Sequence, residues 1–219
     1  MKQVEGRTAF ITGGASGIGL SMARSFGRAG MNVVLADIDP EALETALADL
    51  HQRQIKAIGV ECDVVSRQSV QEAAKKAVAE FGKVHVVCNN AGVGAGGPIE
   101  EVRPSDWDWV IDVNLKGVVI GTEVFVPIMR EQGEGGHFVN TASMAGMVSP
   151  PGMEPHNATK FAVVAMSEGW RGQLEPLDIG VSVLCPGFVK TRIHESGRAR
   201  QSEYGEAVEE NEAVSSAAA

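Results

Sequence analysis

Short apolar runs alternate with amphipathic segments along most of the chain, and this alternation limits the fold more than any other feature. The apolar runs have the length of buried strands, and the segments between them repeat apolar residues at helical spacing. Strands that alternate with helices form a parallel sheet, because each right-handed crossover returns the chain to the same end of the sheet. We therefore expect one α/β domain built on a single doubly wound parallel sheet. The predicted strands are residues 8–12, 32–37, 57–62, 84–89, 137–141 and 181–185, and the predicted helices are residues 16–29, 39–52, 66–81, 105–130 and 154–177.

The composition of the chain argues against several classes of function. Its 219 residues carry a net charge of −9, which disfavours binding to nucleic acid backbones. No segment reaches the ~20 consecutive apolar residues of a membrane span, and the N-terminal residues lack the apolar core of a secretion signal. Cys62, Cys88 and Cys185 are widely spaced in or beside apolar runs, so we expect reduced thiols and no metal site. The sequence therefore predicts a cytoplasmic protein with no nucleic acid, membrane or metal partner.

A glycine-rich loop, TGGASGIG at residues 12–19, joins the first predicted strand to the first predicted helix. Gly13, Gly17 and Gly19 allow positive φ and a close approach of the backbone to a ligand. Free N–H groups at a helix start favour a pyrophosphate. Glycine-rich turns also arise for purely steric reasons, but the position between a strand and a helix indicates a dinucleotide site.

Asp37 ends the second predicted strand, where dinucleotide-binding folds place an acid that accepts hydrogen bonds from the adenosine ribose. The alternative is a helix-entry residue like its neighbour Asp39. A 2′-phosphate beside Asp37 would be repelled, and neither the neutral Ser16 nor an adjacent Arg or Lys offsets that repulsion. The sequence therefore predicts NAD as the cofactor rather than NADP.

Further motifs follow the glycine loop in a fixed order. They are CDV at 62–64, NNAG at 89–92, VNLKG with Asn114, NTASMAG with Ser143, and PGFVKT at 186–191. Over roughly residues 4–195 the series resembles the short-chain dehydrogenase/reductase family. The resemblance implies a Rossmann-like sheet of about seven strands, the last of which this chain lacks or shortens. It also implies hydride transfer between NAD and an alcohol or a carbonyl.

The resemblance implies a role for each matched residue. Asp63 would lie near the adenine amino group, Ser143 would orient the substrate, and residues 186–191 would touch the nicotinamide carboxamide. The implied catalytic residues are Asn114, Ser143, His156 and Lys160. The implied cofactor-binding residues are Gly13, Ser16, Gly17, Ile18, Gly19, Asp37, Asp63, Val64, Asn90, Ala91, Gly92, Lys160, Pro186, Gly187, Val189 and Thr191.

One position departs from the family pattern. The family carries Tyr-x-x-x-Lys, whereas this chain has His156 followed by Lys160, and its one tyrosine is Tyr204. Residues four apart on a helix share a face, so the Lys160 ammonium should lower the pKa of His156. A neutral imidazole can accept a proton from an alcohol but is a poor acid. We therefore expect a site biased toward alcohol oxidation, or one that the substitution has disabled.

Two functions fit these observations. The first is an NAD-dependent oxidoreductase that interconverts a secondary alcohol and a ketone, with impaired turnover because His156 replaces the tyrosine. Val93, Met144, Met153 and Phe188 would line an apolar pocket, which favours a lipophilic small molecule. The alternative is a catalytically inactive NAD-binding module with a regulatory or structural role. In either case we expect a homodimer or a homotetramer.

The end of the chain breaks the strand–helix alternation. From Lys190 onward the residues are mostly polar and small, with no apolar stripe that would dock a helix. We therefore divide the chain into an NAD-binding domain at residues 1–195 and a polar tail, the remnant of a substrate lid, at residues 196–219. The tail is expected to be disordered or weakly held.

Overall fold

A computed structural model describes residues 3–206 and has a six-stranded parallel sheet with the strand order β3-β2-β1-β4-β5-β6. The chain adds β2 and β3 on one side of β1 and the later strands on the other side. The expected doubly wound parallel sheet is therefore confirmed, and within residues 3–206 it has six strands. The strands are β1 Thr8–Thr12, β2 Asn32–Asp37, β3 Ala57–Glu61, β4 Val86–Asn89, β5 Gly136–Thr141 and β6 Ile179–Leu184.

Within residues 3–206, six α-helices accompany this sheet. They are α1 Gly17–Arg28, α2 Pro40–Gln52, α3 Arg67–Phe81, α4 Pro104–Ile111, α5 Gly117–Gln132 and α6 Glu154–Leu174. Phe10, Phe125 and Phe138 belong to the apolar layer on one face, and Ile11, Leu35 and Leu50 belong to the layer on the other. Because both faces are covered, the strands are apolar throughout, which is why the sequence shows runs rather than alternation.

The long helix predicted at 105–130 is interrupted. Asp112–Lys116 forms a π-helical turn between α4 and α5, and it carries Asn114. The turn adds a residue to the helical repeat without changing the apolar pattern on either side, so periodicity could not reveal it.

The fourth strand begins later than its apolar run predicts. Val84 forms hydrogen bonds with the side-chain amide of Gln132 through both its N–H and its carbonyl (2.8 Å each). The N–H of Thr8 donates to Nδ1 of His85 (3.1 Å). The side chains of Gln132 and His85 therefore bond to backbone groups that would otherwise pair with a neighbouring strand, and regular strand pairing starts at Val86.

Residues 196–206 dock on the domain, so the expectation of a weakly held tail is wrong for this part. Ser196 and Tyr204 are buried, and the hydroxyl of Ser196 accepts a hydrogen bond from the N–H of Gly94 (3.1 Å). The anchoring groups are polar and charged rather than an apolar stripe, which explains why the pattern suggested no docking. The rest of the predicted tail, residues 207–219, lies outside the described residues.

Residues 3–206 contain neither a membrane-spanning helix nor a cluster of metal ligands. Between residues 3 and 206, no helix combines the length and apolar character that crossing a membrane requires. The same residues contain no group of three His, Cys, Asp or Glu side chains that could hold a metal ion. Cys62 and Cys88 are free thiols buried in the two apolar layers, as predicted, whereas Cys185, which was also expected to be a core thiol, is only half-buried.

Candidate active site

The predicted site residues gather at the carboxyl edge of the sheet. The glycine loop follows β1, Asp37 ends β2, Asn90 follows β4, and Ser143 and Pro186 lie beyond the ends of β5 and β6. In a doubly wound sheet this edge forms a crevice where β1 and β4 lead to opposite sides. The topology therefore brings together residues that are far apart in sequence.

The backbone of the glycine loop is packed too tightly for side chains. Gly13 has a φ of +61°, and a Cβ there would lie 2.9 Å from the Cα of Ala91. A Cβ on Gly19 would lie 2.1 Å from the carbonyl oxygen of Gly13. These glycines are required by the loop itself, and the loop in turn presents its backbone to the crevice.

The start of α1 has free N–H groups, unlike the starts of the next two helices, α2 and α3. Asp39 caps α2 by accepting from Ala42, and Ser66 caps α3 by accepting from Ser69. Ser16 makes no such bond, and the first turn of α1 has no acidic residue. The first three N–H groups of α1 therefore remain available with the positive end of the helix dipole, an arrangement that fits a pyrophosphate.

Asp37 faces the glycine loop as a half-buried carboxylate. Its Oδ2 accepts from the N–H of Ala15 (3.0 Å), and its Oδ1 accepts from the N–H of Asp39 (3.3 Å). The backbone thus fixes the carboxylate at the end of β2 while leaving lone pairs for further donors. This geometry is compatible with a bound ribose.

A cleft of about 370 Å³ lies directly after the end of β2. Residues 38–41 line this cleft together with Arg198 and Ala199. Next to Asp37 in sequence there is no basic residue, but the fold places Arg198 near the same end of β2. Sequence neighbours could not reveal this guanidinium.

Thr12 is a site residue that the motif analysis did not single out. Its hydroxyl oxygen accepts from the N–H groups of Asn90 (2.9 Å) and Ala91 (3.0 Å). The side-chain amide of Asn90 donates in return to the carbonyl of Thr12 (3.0 Å). Thr12 therefore joins the glycine loop to the loop after β4. Its polar side chain at the end of an apolar strand was the available signal.

Asn114 holds the next part of the same loop. Its Oδ1 accepts from the N–H of Val93 (2.8 Å), its Nδ2 donates to the carbonyl of Val93 (2.9 Å), and its side chain is fully buried. A Cβ on Gly92 would come within 3.3 Å of Asn114 Oδ1 and 3.5 Å of Lys160 Nζ. The structure therefore brings Gly92, Asn114 and Lys160 together, and Asn114 uses its side chain to position the loop.

Lys160 is 4% exposed, and its Nζ donates to the carbonyl of Thr141 (2.9 Å). Burial lowers the pKa of this ammonium to about 8. Thr141 is the single acceptor that the described residues give to its three N–H groups, so two donors remain for a ligand.

His156 lies on the same helix and is also buried. Desolvation, with a smaller contribution from the charge of Lys160, lowers the pKa of His156 to about 4. Its Nδ1 lies 3.3 Å from the carbonyl oxygen of Val93. Because a carbonyl only accepts, Nδ1 carries the proton in this bond, and the Nε2 lone pair is left as a base. The expected direction of the pKa shift is confirmed, with burial as the larger cause.

The remaining predicted residues lie around this centre at varying depth. Ser143 is half-buried and accepts from the N–H of Ala145 (3.0 Å), and Pro186 accepts from the N–H of Met144 (2.9 Å). Thr191 faces Gly17, whose Cβ would lie 3.2 Å from its methyl group. Val64 is buried, Ser16 and Ile18 are half-buried, and Gly187 and Val189 are exposed.

The apolar pocket predicted from four residues is incomplete. Val93 is buried and Met153 is half-buried, but Met144 is 47% exposed and Phe188 is 88% exposed. Phe188 therefore does not line a pocket in this structure. The loop that carries it extends into solvent beyond β6, and apolar character alone could not indicate which way its side chain points.

Tyr204 does not supply the missing phenol. Its hydroxyl donates to Asp112 Oδ2 (2.8 Å), and its ring belongs to the cluster around Trp109. Burial first, and then the Asp112 carboxylate, raises the pKa of Tyr204 above its ordinary value. The tyrosine is therefore fixed as a hydrogen-bond donor to Asp112, at the start of the π-helical turn.

Comparisons with known proteins agree with this geometry. A family model described as short chain dehydrogenase matches residues 7–202. The C alpha-dehydrogenase of Sphingobium sp. strain SYK-6 is 41% identical over 99% of this chain and 72% of its own length. A short-chain dehydrogenase/reductase from Burkholderia phymatum, solved in complex with NAD, has a TM-score of 0.94 and 41% identity, covering 100% of this chain and 79% of its own.

A third protein extends the likeness to a structure solved without ligand. The apo form of LigD from Sphingobium sp. strain SYK-6 has a TM-score of 0.82 and 41% identity, and the match covers 84% of this chain and 79% of LigD. The family model covers most of the chain, and each of these three proteins is 41% identical to it over most of its length. This chain therefore belongs to the short-chain dehydrogenase family of oxidoreductases.

Proposed function

We propose that the protein is an NAD(H)-dependent oxidoreductase that interconverts a secondary alcohol and a ketone on a lipophilic small molecule, with turnover limited by His156. The main observation that supports this proposal is the buried Lys160 ammonium, which has two N–H donors available at the crevice. The uncapped start of α1 and the Asp37 carboxylate supply the other contacts that a dinucleotide needs. The NAD complex of the Burkholderia phymatum protein supports this choice of cofactor.

The residues present fit NAD in charge and in hydrogen-bonding capacity. The free N–H groups of α1 would hold the pyrophosphate, Asp37 would accept from the adenosine ribose, and Lys160 would donate to the nicotinamide ribose. When bound, NAD supplies the hydride acceptor for alcohol oxidation. Gly13, Gly92 and Thr191 would keep the backbone and a small side chain against the cofactor.

Substrate orientation falls to Ser143. Its oxygen already accepts from Ala145, so its own proton is available to donate to the substrate oxygen. Asn114 donates to the carbonyl of Val93, and the same carbonyl accepts from Nδ1 of His156, so the Val93 backbone fixes the imidazole ring. An alcohol bound in this way would have its hydroxyl between Ser143 and the helix that carries His156 and Lys160.

Proton transfer is the weak step in the proposed mechanism. In oxidation, the alcohol proton would move to Nε2 of His156, and the resulting imidazolium would lie in a buried site near the Lys160 ammonium. In reduction, His156 would need to donate a proton that it does not hold near neutral pH. The site therefore favours oxidation, and the dehydrogenase activity in the name of the Sphingobium relative supports that direction.

A second candidate is an NAD-binding module without catalytic activity. The observation that favours it is the burial of His156 at 6% exposure with a pKa of about 4, which deprives the site of a proton donor. The binding residues named above do not involve this histidine. Such a protein would bind NADH and leave alcohols unchanged.

A binding titration and an activity assay separate the two candidates. NAD and NADP are titrated by calorimetry, and the parent is then assayed for NADH formation with aromatic, alicyclic and steroid-like alcohols. We expect tighter binding of NAD and slow oxidation that Ser143→Ala abolishes while NAD binding persists. Binding without oxidation of any alcohol would favour the inactive module, and equal or tighter binding of NADP would contradict the choice of cofactor.

A further inference from the structure

A short segment after the site, residues 200–204, docks on α4 through buried polar contacts, and we name it the strap. Arg200 Nη1 lies 2.8 Å from Asp106 Oδ1, and both side chains are almost fully buried. The same guanidinium stacks over Trp109 at 4.8 Å from the ring centroid, and Tyr204 donates to Asp112. Burial alone would raise the pKa of Asp106, but its bonds and charge interactions with Arg103 and Arg200 lower it. The strap is thus tied to the domain at several points.

Gln201 extends from the strap to the end of β3. Its Oε1 accepts from Nε1 of Trp109 (3.1 Å), and its Nε2 donates to Asp63 Oδ1 (3.1 Å). Asp63 Oδ1 also accepts from the N–H of Val65 (3.1 Å). No other donor to the Asp63 carboxylate occurs in residues 3–206, so one oxygen is fixed by two bonds and Oδ2 stays free.

The place of Asp63 along the sheet edge indicates what this free oxygen can meet. β3 lies outside β2, and the N–H of Cys62 donates to the carbonyl of Asp37 (2.8 Å). Asp63 is therefore one strand further out than the carboxylate proposed to hold the adenosine ribose. The family resemblance implies that a dinucleotide with its ribose at Asp37 and its pyrophosphate at α1 would have its adenine near Asp63, and the outer position of β3 is compatible with this.

We propose that Gln201 is a positioning residue for the adenine end of the cofactor. By holding Asp63 Oδ1, it orients Oδ2 to accept from the exocyclic amino group of adenine. This inference rests on the proposed function, because it requires NAD in the crevice. Competition between Gln201 and adenine for the same oxygen would require the strap to leave, and the buried Arg200–Asp106 pair opposes that movement.

The test compares NAD with nicotinamide hypoxanthine dinucleotide, which lacks the amino group, by calorimetric titration. We expect the parent to prefer NAD. We expect Gln201→Ala to weaken NAD binding roughly threefold to tenfold, the effect of misplacing one hydrogen bond to a charged acceptor, and to leave the analogue unchanged. Ser202→Ala, an exposed neighbour in the strap, should keep the parent preference.

A second variant guards against a change in folding. Gln201→Glu keeps the length and the acceptor for Trp109 but places a carboxylate beside Asp63, so NAD binding should weaken further. Both variants are checked for an unchanged thermal transition.

The other outcomes overturn the proposal in distinct ways. If Gln201→Ala weakened the binding of both dinucleotides equally, Gln201 would have only a structural role. If the variant bound NAD more tightly, Gln201 would compete with adenine for Asp63. An unchanged preference for NAD over the analogue would exclude a positioning role. A parent that binds neither dinucleotide would instead overturn the proposed function together with this inference.

Discussion

The carboxyl edge of the sheet has two sides, one proposed to bind the nucleotide and one proposed for catalysis. The first side offers mainly backbone groups, and the second offers ionisable side chains. On the nucleotide side, the glycine loop and the start of α1 present backbone groups whose positions are fixed by glycines that no side chain could replace. On the side proposed for catalysis, His156 and Lys160 are buried, and burial lowers the pKa of both side chains. The proposed pyrophosphate contacts are therefore backbone N–H groups that do not titrate, whereas the proposed proton transfer depends on the identity of one side chain.

The comparison is tested most strongly by replacing the histidine. His156→Tyr restores a phenol whose ionised form the Lys160 ammonium stabilises, and general acid–base catalysis contributes roughly 10²–10⁴-fold. We expect a rise in kcat of that order, measured as NADH formation on an alcohol that the parent oxidises, with an unchanged Kd for NAD. If kcat does not rise, His156 is an adapted catalytic group and the contrast between the two sides is wrong.

The pH dependence of the two reaction directions should differ by about two orders of magnitude. With a pKa of about 4, the protonated fraction of His156 falls roughly tenfold per pH unit above that value, so reduction should slow roughly 100-fold from pH 5 to 7. Oxidation needs the neutral imidazole and should stay level over this interval. Above pH 8, deprotonation of Lys160 should weaken cofactor binding.

Initial rates in both directions at saturating cofactor, from pH 5 to 9, measure these slopes. The His156→Tyr variant is the control, because its reduction rate should not follow the imidazole. A parent reduction rate that stays level to pH 8 would require another proton donor and would remove His156 from the mechanism.

On the nucleotide side, Asp37→Ala should change the choice of cofactor. Losing a charge-assisted hydrogen bond to the ribose should weaken NAD roughly tenfold. The variant also loses the repulsion between the Asp37 carboxylate and the 2′-phosphate of NADP. Because Arg198 lines the cleft at this end of β2, the binding of NADP should improve. Calorimetry with both cofactors measures the change, and the control Glu44→Ala removes an equal charge from an exposed position of α2 that does not line the cleft. Unchanged selectivity in Asp37→Ala would assign Asp37 a structural role at the entry to α2.

The smallest effect is expected where the strap meets α4. Tyr204→Phe removes the donor to Asp112, which also pairs with Lys116 and is partly open to solvent, so the loss should be about 1 kcal/mol. That loss corresponds to a fall of about 2–4 °C in Tm for a domain of this size. Thermal unfolding measures it, with Ser202→Ala as the control. An unchanged Tm would mean that the strap is not part of the cooperative fold.

The fold could be predicted from the sequence because its causes are local. Apolar runs of strand length, helical spacing and the capping residues Asp39 and Ser66 all act within a few neighbours. The element ends that differ do so where distant side chains intervene, as Gln132 does at Val84. Such contacts join residues that no local pattern relates.

The site was predictable to the extent that its residues lie in ordered motifs. The motifs indicated Asn114 and Lys160, which the fold brings together beside Gly92. They did not indicate Arg198 or Gln201, because a single polar residue in a polar segment has no spacing or periodicity that could reveal it. The direction in which Phe188 points was equally undetermined, because it depends on the path of a loop.

The burial of Cys62 and Cys88 has a kinetic consequence. Desolvation raises the pKa of both thiols to about 12, so neither offers a thiolate to an alkylating reagent while the sheet is closed. Cys185, after β6, is only half-buried. Alkylation should therefore proceed in a fast phase at Cys185 and a slow phase whose rate reports how often the sheet opens around β3 and β4. The alkylation rate of the two buried thiols therefore measures the rate of local unfolding without an added label.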